Sequence, residues 1–438
     1  MPASTATAAE ATASFQSGLE KAWQDAAPGL PGGDWMTQLR RDALARVVRD
    51  GLPGRRNEWW KYADLAGMRK VPLPVAPEPS VPLDATSRNF GEDAWSIVVR
   101  NGRVAQLPSA PSLPDGIEVV RLGEALDVPS LWLRPWLQPA ASAIHNLNLA
   151  FATDGVLLRI GRNVSAARPL VIVSHARLDA SMAHERSVVS LEEGASLTLV
   201  ELDQMHGSAG SVATKRLSIN LAPGARLMHI RLSAGGPELA AVHDCDVQLG
   251  ANARYQLVTL CAGAELLRQQ QAISLSGEAA SCDLAIAYAA RAGAQVDQAV
   301  EIRHTAPNTQ SRLLAKGLAT RKGRGVVQGR VVVDETAQGA DSHQMARGLL
   351  LEDGAEIFHK PELEIYADDV KCGHGATIAS LDPSQLFYLQ SRGIPAQAAT
   401  EMLLAAFVRD VIDRAPETLQ GALASWADTT LFQRKEPI

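Results

Sequence analysis

From about Gly155 to Ile378 the chain repeats one short pattern, and that repeat limits the fold more than any other feature. Runs of alternating apolar residues are separated by Gly, Ala, Asn and Pro, as expected of β-strands punctuated by turns. Val156–Ile160, Leu170–His175, Ser187–Leu191, Leu197–Leu202, Leu217–Leu221 and Leu227–Leu232 are examples. Inside the run, EGASLTLVELD at 193–203 resembles PGARLMHIRLS at 223–233, and ANARYQLVTL at 251–260 and AASCDLAIAY at 279–288 follow in similar register. The first large residues of these segments are Leu197, Leu227, Tyr255 and Cys282. Their spacing of about 27–30 residues leaves room for two short strands per repeat. A single repeat cannot bury its own apolar face, but a stack of them can. A β-helix and a long β-sandwich both satisfy this spacing.

The flanks follow other patterns. Residues 1–14 are rich in Ala, Thr and Ser, carry no Arg or Lys, and read as a disordered tail. They have neither the charged start and apolar stretch of a signal peptide nor the Arg of a transit peptide. From Phe15 to Leu65 the apolar residues Leu19, Trp23, Leu39, Leu44, Val47 and Val48 recur at helical spacing. Asp34 is the expected N-cap of a helix over Trp35 to Arg49. Five prolines between Val71 and Asp84 forbid a regular helix there and mark an extended linker. The expected organisation is a helical domain with its linker over 15–84, a mixed transitional region over 85–154, the strand repeat over 155–390 and a helical domain over 391–438. In the last of these, Leu403, Leu404, Phe407, Val408 and Val411 form an apolar stripe, for packing on the body or docking a partner.

With 438 residues, a net charge of -6, 46% apolar and 21% charged residues, the chain has the balance of a globular protein and lacks the basic excess of a nucleic-acid binder. No apolar run reaches the ~18 residues that span a bilayer. The four cysteines, Cys245, Cys261, Cys282 and Cys372, show no paired spacing and suit a reducing compartment; the cytoplasm is the expected location.

Nucleotide and hydrolase motifs are missing. The sequence has no G-x-x-x-x-G-K-[ST], G-x-S-x-G or H-E-x-x-H. Gly323, Gly325 and Gly329 have the wrong spacing for a dinucleotide loop and precede a strand pattern. The sharpest local feature is ADDVKCGHGAT, Ala367 to Thr377. On a strand, Cys372 and His374 point to one face, where thiolate and imidazole can converge on one metal ion. Lys371 is placed to favour the thiolate, and Gly373 and Gly375 to admit a close approach. Two ligands are half of a four-coordinate set. The others must come from His343 or His359, from sulfide, or from another chain, and a buried structural Cys–His pair is the alternative. Asp368 and Asp369 face opposite sides of a strand and read as turn residues. In RRNEWWKYADL, Arg55 to Leu65, the residues Trp59, Trp60 and Tyr62 read as packed on the body, with a contact to a partner or a flavin as the alternative.

PELEIYADDVKCGHGATIASLDPSQLFYLQSRGIPAQAA, Pro361 to Ala399, together with NEWWKYADL, Asn57 to Leu65, resembles the SufB/SufD family of the SUF iron–sulfur assembly system. His374-Gly375-Ala376-Thr377 stands where the B branch typically has H-E-A-T, so the likeness is to the D branch. Many relatives have Ser where this chain has Gly373. The resemblance implies a mainly β fold, a right-handed parallel β-helix flanked by N-terminal and C-terminal helical regions. It implies a non-enzymatic scaffold that works with SufB and two copies of the ATPase SufC. A transient iron–sulfur cluster would form at the SufB interface, with His374 and Cys372 as metal ligands and SufC docked at about Pro395 to Trp426. A reduced flavin and a homodimer of the isolated chain stay open. The rival readings are a β-helix enzyme acting on carbohydrate and a purely structural subunit.

Overall fold

A computed structural model describes residues 8–63, 65, 68, 74–77, 90, 94–128 and 132–432. Two sheets dominate it, and successive strands alternate between them. A short lead-in comprises β1 (Trp95–Arg100), β2 (Arg103–Gln106) and β3 (Ile117–Arg121). One sheet then takes β5 (Leu170–Leu178), β7 (Ser196–Gly207), β9 (Arg226–Gly235), β11 (Arg254–Gly263), β13 (Ser281–Ala290), β15 (Gln310–Ala319), β17 (Ala340–Leu350) and β19 (Val370–Ala379). The other takes β4 (Val156–Ile160), β6 (Met182–Leu191), β8 (Ser211–Leu221), β10 (Leu239–Leu249), β12 (Leu266–Leu275), β14 (Gln295–His304), β16 (Arg324–Val333) and β18 (Glu356–Ile365). From β4 to β17 each strand pairs in parallel with the strand two places on. The molecule is therefore a parallel β-solenoid whose coils each supply one strand to each sheet.

The sequence repeat maps directly onto this stack. Leu197, Leu227, Tyr255 and Cys282 lie on one ladder of neighbours. The ladder continues through Ser311 and Ser342 to Cys372. The corner before each of the first six of these seven strands has one left-handed residue. Gly194 (φ 67), Gly224 (φ 70), Asn252 (φ 56), Ala279 (φ 57), Asn308 (φ 59) and Gly339 (φ 75) fill it. That backbone region is open to Gly, tolerable to Asn and unfavourable to other residues, which explains the small residues between the runs. Gly325 and Gly329, rejected as a nucleotide loop, have a packing reason. A Cβ on Gly325 would meet the Tyr288 ring at 2.5 Å, and one on Gly329 would meet Gln344 Oε1 at 2.3 Å.

Three apolar clusters hold the solenoid. One fills the lumen between the sheets. A second packs α1 (Ala8–Ala26), α2 (Asp34–Asp50) and α3 (Ala143–Phe151) on the outer face of the β4–β18 sheet. The third packs α5 (Ala396–Ile412) and α6 (Glu417–Thr430) on the outer face of the other sheet, with Val408 and Leu423 fully buried; α4 (Pro383–Ser391) comes just before them in the chain. The apolar stripe of α5 therefore packs on its own body through Leu404, Val408 and Val411.

Several expectations shift. Helix α1 begins at Ala8, inside the stretch read as a disordered tail, because an Ala-rich segment has high intrinsic helix propensity; residues 1–7 lie outside the described residues. The N-cap of α2 is Gly33, one residue before Asp34. Asp34 instead places its carboxylate in the first turn, where the helix dipole favours it. Most of the proline-rich linker lies outside the described residues, although Val75 makes a parallel bridge to Met182. The transitional region adds strands to the solenoid, since β1 pairs in parallel with β5 and β3 pairs antiparallel with β4. The helical pattern resumes at Pro383, before Ser391.

The Trp-rich segment straps the outer face of the β4–β18 sheet. Arg268 donates to the Trp59 carbonyl at 2.7 Å, Gln295 to that of Tyr62 at 2.6 Å and Gln328 to that of Glu58 at 3.3 Å. The Arg268 guanidinium lies 4.1 Å from the Trp60 ring centroid and pairs with buried Asp297 at 2.5 Å. Lys360, on the last strand of that sheet, pairs with Glu58 at 2.7 Å.

Candidate functional site

Among the described residues the solenoid ends at β18 and β19, with no coil beyond them. Lumen-facing positions on these strands carry Ile357, His359, Pro361, Leu363 and Ile365 on one side and Val370, Cys372, His374, Ala376 and Ile378 on the other, as their ladders with β16 and β17 define. In earlier coils such positions are buried. Here Cys372 is half-buried and His374 exposed, while Ile365 and Ile378 are 40% and 46% exposed.

Cys372 and His374 lie on one face of β19, as their spacing predicts. Cys372 stacks on Ser342, and His374 on Gln344. Ser342 is held from below by a 2.7 Å hydrogen bond from Ser311. Gln344 crosses the lumen and donates to the Glu362 carbonyl at 3.1 Å. The pair thus rests on a floor of fixed polar side chains. Burial pushes the Cys372 thiol up; a hydrogen bond from the Ser342 backbone opposes this, and the Asp341 charge adds to the rise. The expected help from Lys371 does not arise. One residue from Cys372 on a strand, Lys371 belongs to the opposite face. A metal binding here must displace the thiol proton.

His343 belongs to the outer face, in register with Gly373, and its Nδ1 lies 3.1 Å from Asp341 Oδ1. His359 faces the lumen from β18, in register with Val327. Burial pushes it down to about 4, and neither ring nitrogen has a hydrogen-bond partner. It is a neutral imidazole on the same side of the sheets as His374. Among the described residues, no group of three or more His, Cys, Asp or Glu side chains is placed to hold a metal ion. The structure therefore does not gather His343 and His359 with the pair into one ligand set. Asp368 and Asp369 lie in the bend before β19, where the Asp369 carbonyl accepts from Gly339 at 2.7 Å. Gly373 has room for a side chain, since an added Cβ comes no closer than 3.7 Å to any neighbour.

Sequence reasoning missed the floor residues Ser342 and Gln344. Counting one repeat back from Cys372 and His374 would have found them.

Residues 172–407 match the family model described as the SUF system FeS cluster assembly SufBD core domain. That span covers most of the solenoid, the Cys372–His374 strand and part of α5. The chain belongs to the SufBD family. Among SufBD relatives, it is 30% identical to the iron–sulfur cluster assembly protein SufD of Escherichia coli, over 84% of this chain and 87% of that protein. It is 28% identical to an iron–sulfur cluster assembly SufBD family protein of Synechocystis, over 85% and 86%. With the chloroplastic protein ABCI7 of Arabidopsis thaliana it shares 27% identity, over 94% and 90%. A SufBD chain is a scaffold-type subunit of iron–sulfur cluster assembly, which sets aside the carbohydrate-enzyme alternative. No helix among its described residues is long and apolar enough to cross a membrane.

Proposed function

We propose that this SufBD chain holds part of a nascent iron–sulfur cluster at the open end of its solenoid, with Cys372 and His374 as ligands. The observation that carries the proposal is the pair itself: a thiol and an imidazole side by side, facing the lumen on the one β19 edge that no further coil covers. Two ligands leave a four-coordinate iron incomplete, so sulfide and a second chain supply the rest. That chain is SufB, stacked on β18 and β19, whose unpaired backbone groups are a template for strand addition. The cluster is cargo. An imidazole releases metal more readily than a full thiolate set, which suits a site that must give its cluster away.

The ATPase SufC docks on the C-terminal helices. Just before the stretch expected to receive it, Pro395 to Trp426, helix α4 has no buried residue and leaves Phe387 73% and Tyr388 57% exposed, apolar side chains of the kind that mark a partner site. Movement of these helices on ATP hydrolysis would tilt the open end against SufB and admit iron and sulfur. The proposal assigns no residue to a flavin, and it places the complex in the cytoplasm.

The test is the anaerobic iron and sulfide content of the complex co-purified with SufB and SufC, wild type against His374→Ala and Cys372→Ala. A loss of more than half the iron and sulfide from the His374→Ala complex, with subunit stoichiometry intact, supports the site. Unchanged content in both variants would mean that SufB supplies every ligand and this chain is structural support.

A further inference from the structure

A cavity of about 380 Å³ lies outside the lumen, between the solenoid and its C-terminal helices. Small-molecule sites typically measure about 300–1,000 Å³. One wall is a row of solenoid corners. The other is Leu404 of α5 with Leu431 and Phe432, just past α6. The sequence explains the space. Three successive corners carry two left-handed residues in a row: Gly263 (φ 81) with Ala264 (φ 73), Ala292 (φ 50) with Gly293 (φ 83), and Arg321 (φ 42) with Lys322 (φ 62). Such a pair makes a tight turn. The first two corners use only Gly and Ala, whose side chains are too small to reach the helices. Ala262, Ala289 and Leu318, at the strand ends before these corners, belong to the apolar cluster that α5 and α6 cover. The cavity is the part of that seam which the helices leave unfilled.

Two arginines from consecutive corners, Arg291 and Arg321, line this apolar space. Arg321 is exposed and lies 3.5 Å from Glu352. Arg291 is half-buried, and burial pushes it down to about 10. A negative charge brought beside a guanidinium favours its charged form and so opposes that effect. The hydrogen bonds between them are of the strong, charge-assisted kind. Glu265 and Glu352 also line the cavity and disfavour a second negative charge. An apolar hole with an arginine set in its wall therefore suits a molecule with an apolar body and a single anionic end.

We propose that this cavity binds a small amphipathic monocarboxylic acid, its chain lying between Ala262, Ala289 and Leu318 on one wall and Leu404 and Phe432 on the other, and its carboxylate accepting from Arg291. A molecule held there touches both the solenoid and the C-terminal helices, so its binding stabilises their contact. Neither Cys372 nor His374 lines the cavity, and the site does not depend on the cluster reading.

Titration calorimetry of the full chain with decanoate tests this. The expected result is saturable binding of one decanoate per chain, at least tenfold tighter than decyltrimethylammonium, an amphiphile of similar length and opposite charge. Arg291→Gln should weaken decanoate binding at least tenfold. Ala289→Leu, which puts a larger side chain into the cavity, should abolish it. Arg291→Gln leaves the apolar walls in place, so it gives a reading even where Ala289→Leu disturbs the fold. No saturable binding of decanoate, equal binding of the two amphiphiles, or full decanoate affinity in either variant would each overturn the proposal.

Discussion

Trp95 and His374 are the two ends of one ladder that passes through Leu170, Leu199, His229, Leu257, Leu284, Leu313 and Gln344. They face the same lumen, yet Trp95 is buried and His374 exposed. At the first coil the β1–β2 hairpin turns at Asn101 (φ 46) and Gly102 (φ 78), and Trp95 donates its indole N–H to the Ser112 carbonyl at 2.9 Å. Helix α3 covers the outer side of β6, where Asn148 donates to the Glu185 carbonyl at 2.9 Å. Among the described residues nothing comparable closes β18 and β19. Repeat stacks need polar caps at their ends to stay soluble and monomeric. On the function proposed above, a second chain finishes the open end that carries Cys372 and His374.

The largest expected effect comes from undoing the cap. Arg40, fully buried on α2, donates to the carbonyls of Leu149, Ala150 and Ala152 at 3.2, 3.1 and 2.9 Å, tying α2 to the end of α3. Arg40→Met strands these acceptors and should cost about 4 kcal/mol, read as a lowered urea midpoint. A change under about 1 kcal/mol would mean the cap does not hold the first coil.

Acid should act on the same end. Burial pushes His145 down to about 2 and His184 down to about 3. In the unfolded chain a histidine binds its proton near pH 6.5, so stability is present above that value and lost as the pH falls below it. Between pH 7 and 5 the two together should remove about 4 kcal/mol. Urea midpoints at both pH values check this, and His184→Gln should flatten the slope. An equal slope in the variant would remove His184 from the cap's acid sensitivity.

The smallest effect is expected at the open end. Ile365→Asp with Ile378→Asp changes residues that cover no coil, so stability should move by less than about 0.5 kcal/mol. Association with the chain that covers this end should weaken tenfold or more, about 1.4 kcal/mol, in sedimentation of the mixed subunits. Full stability with full association would place the interface elsewhere.

The middle of the solenoid was legible because its corners recur. Gly194, Gly224, Asn252 and Ala279 announce the same backbone turn, and the strand after each inherits its register. The i, i+2 placement of Cys372 and His374 was readable for the same reason. What faces a residue from the neighbouring coil was harder to see. Lys371 was credited with an influence on Cys372 that burial and Asp341 exert instead, because adjacency in sequence is separation on a strand. His343 and His359 looked alike in sequence; the ladders put one outside and the other in the lumen. The cap was least legible, since β1 to β3 break the repeat that made the rest recognisable.

The strap has a consequence for how the molecule comes into being. Glu58 and Lys360 are 302 residues apart, and Arg268 meets the Trp59 carbonyl across 209. A chain emerging from the ribosome makes the strap early and its last anchor late, and contacts of such long range form slowly. The final coil is fastened only after nearly the whole polypeptide exists. A truncated chain would leave the strap without its anchor on β18, so the last edge of the solenoid becomes firm only in a completed copy.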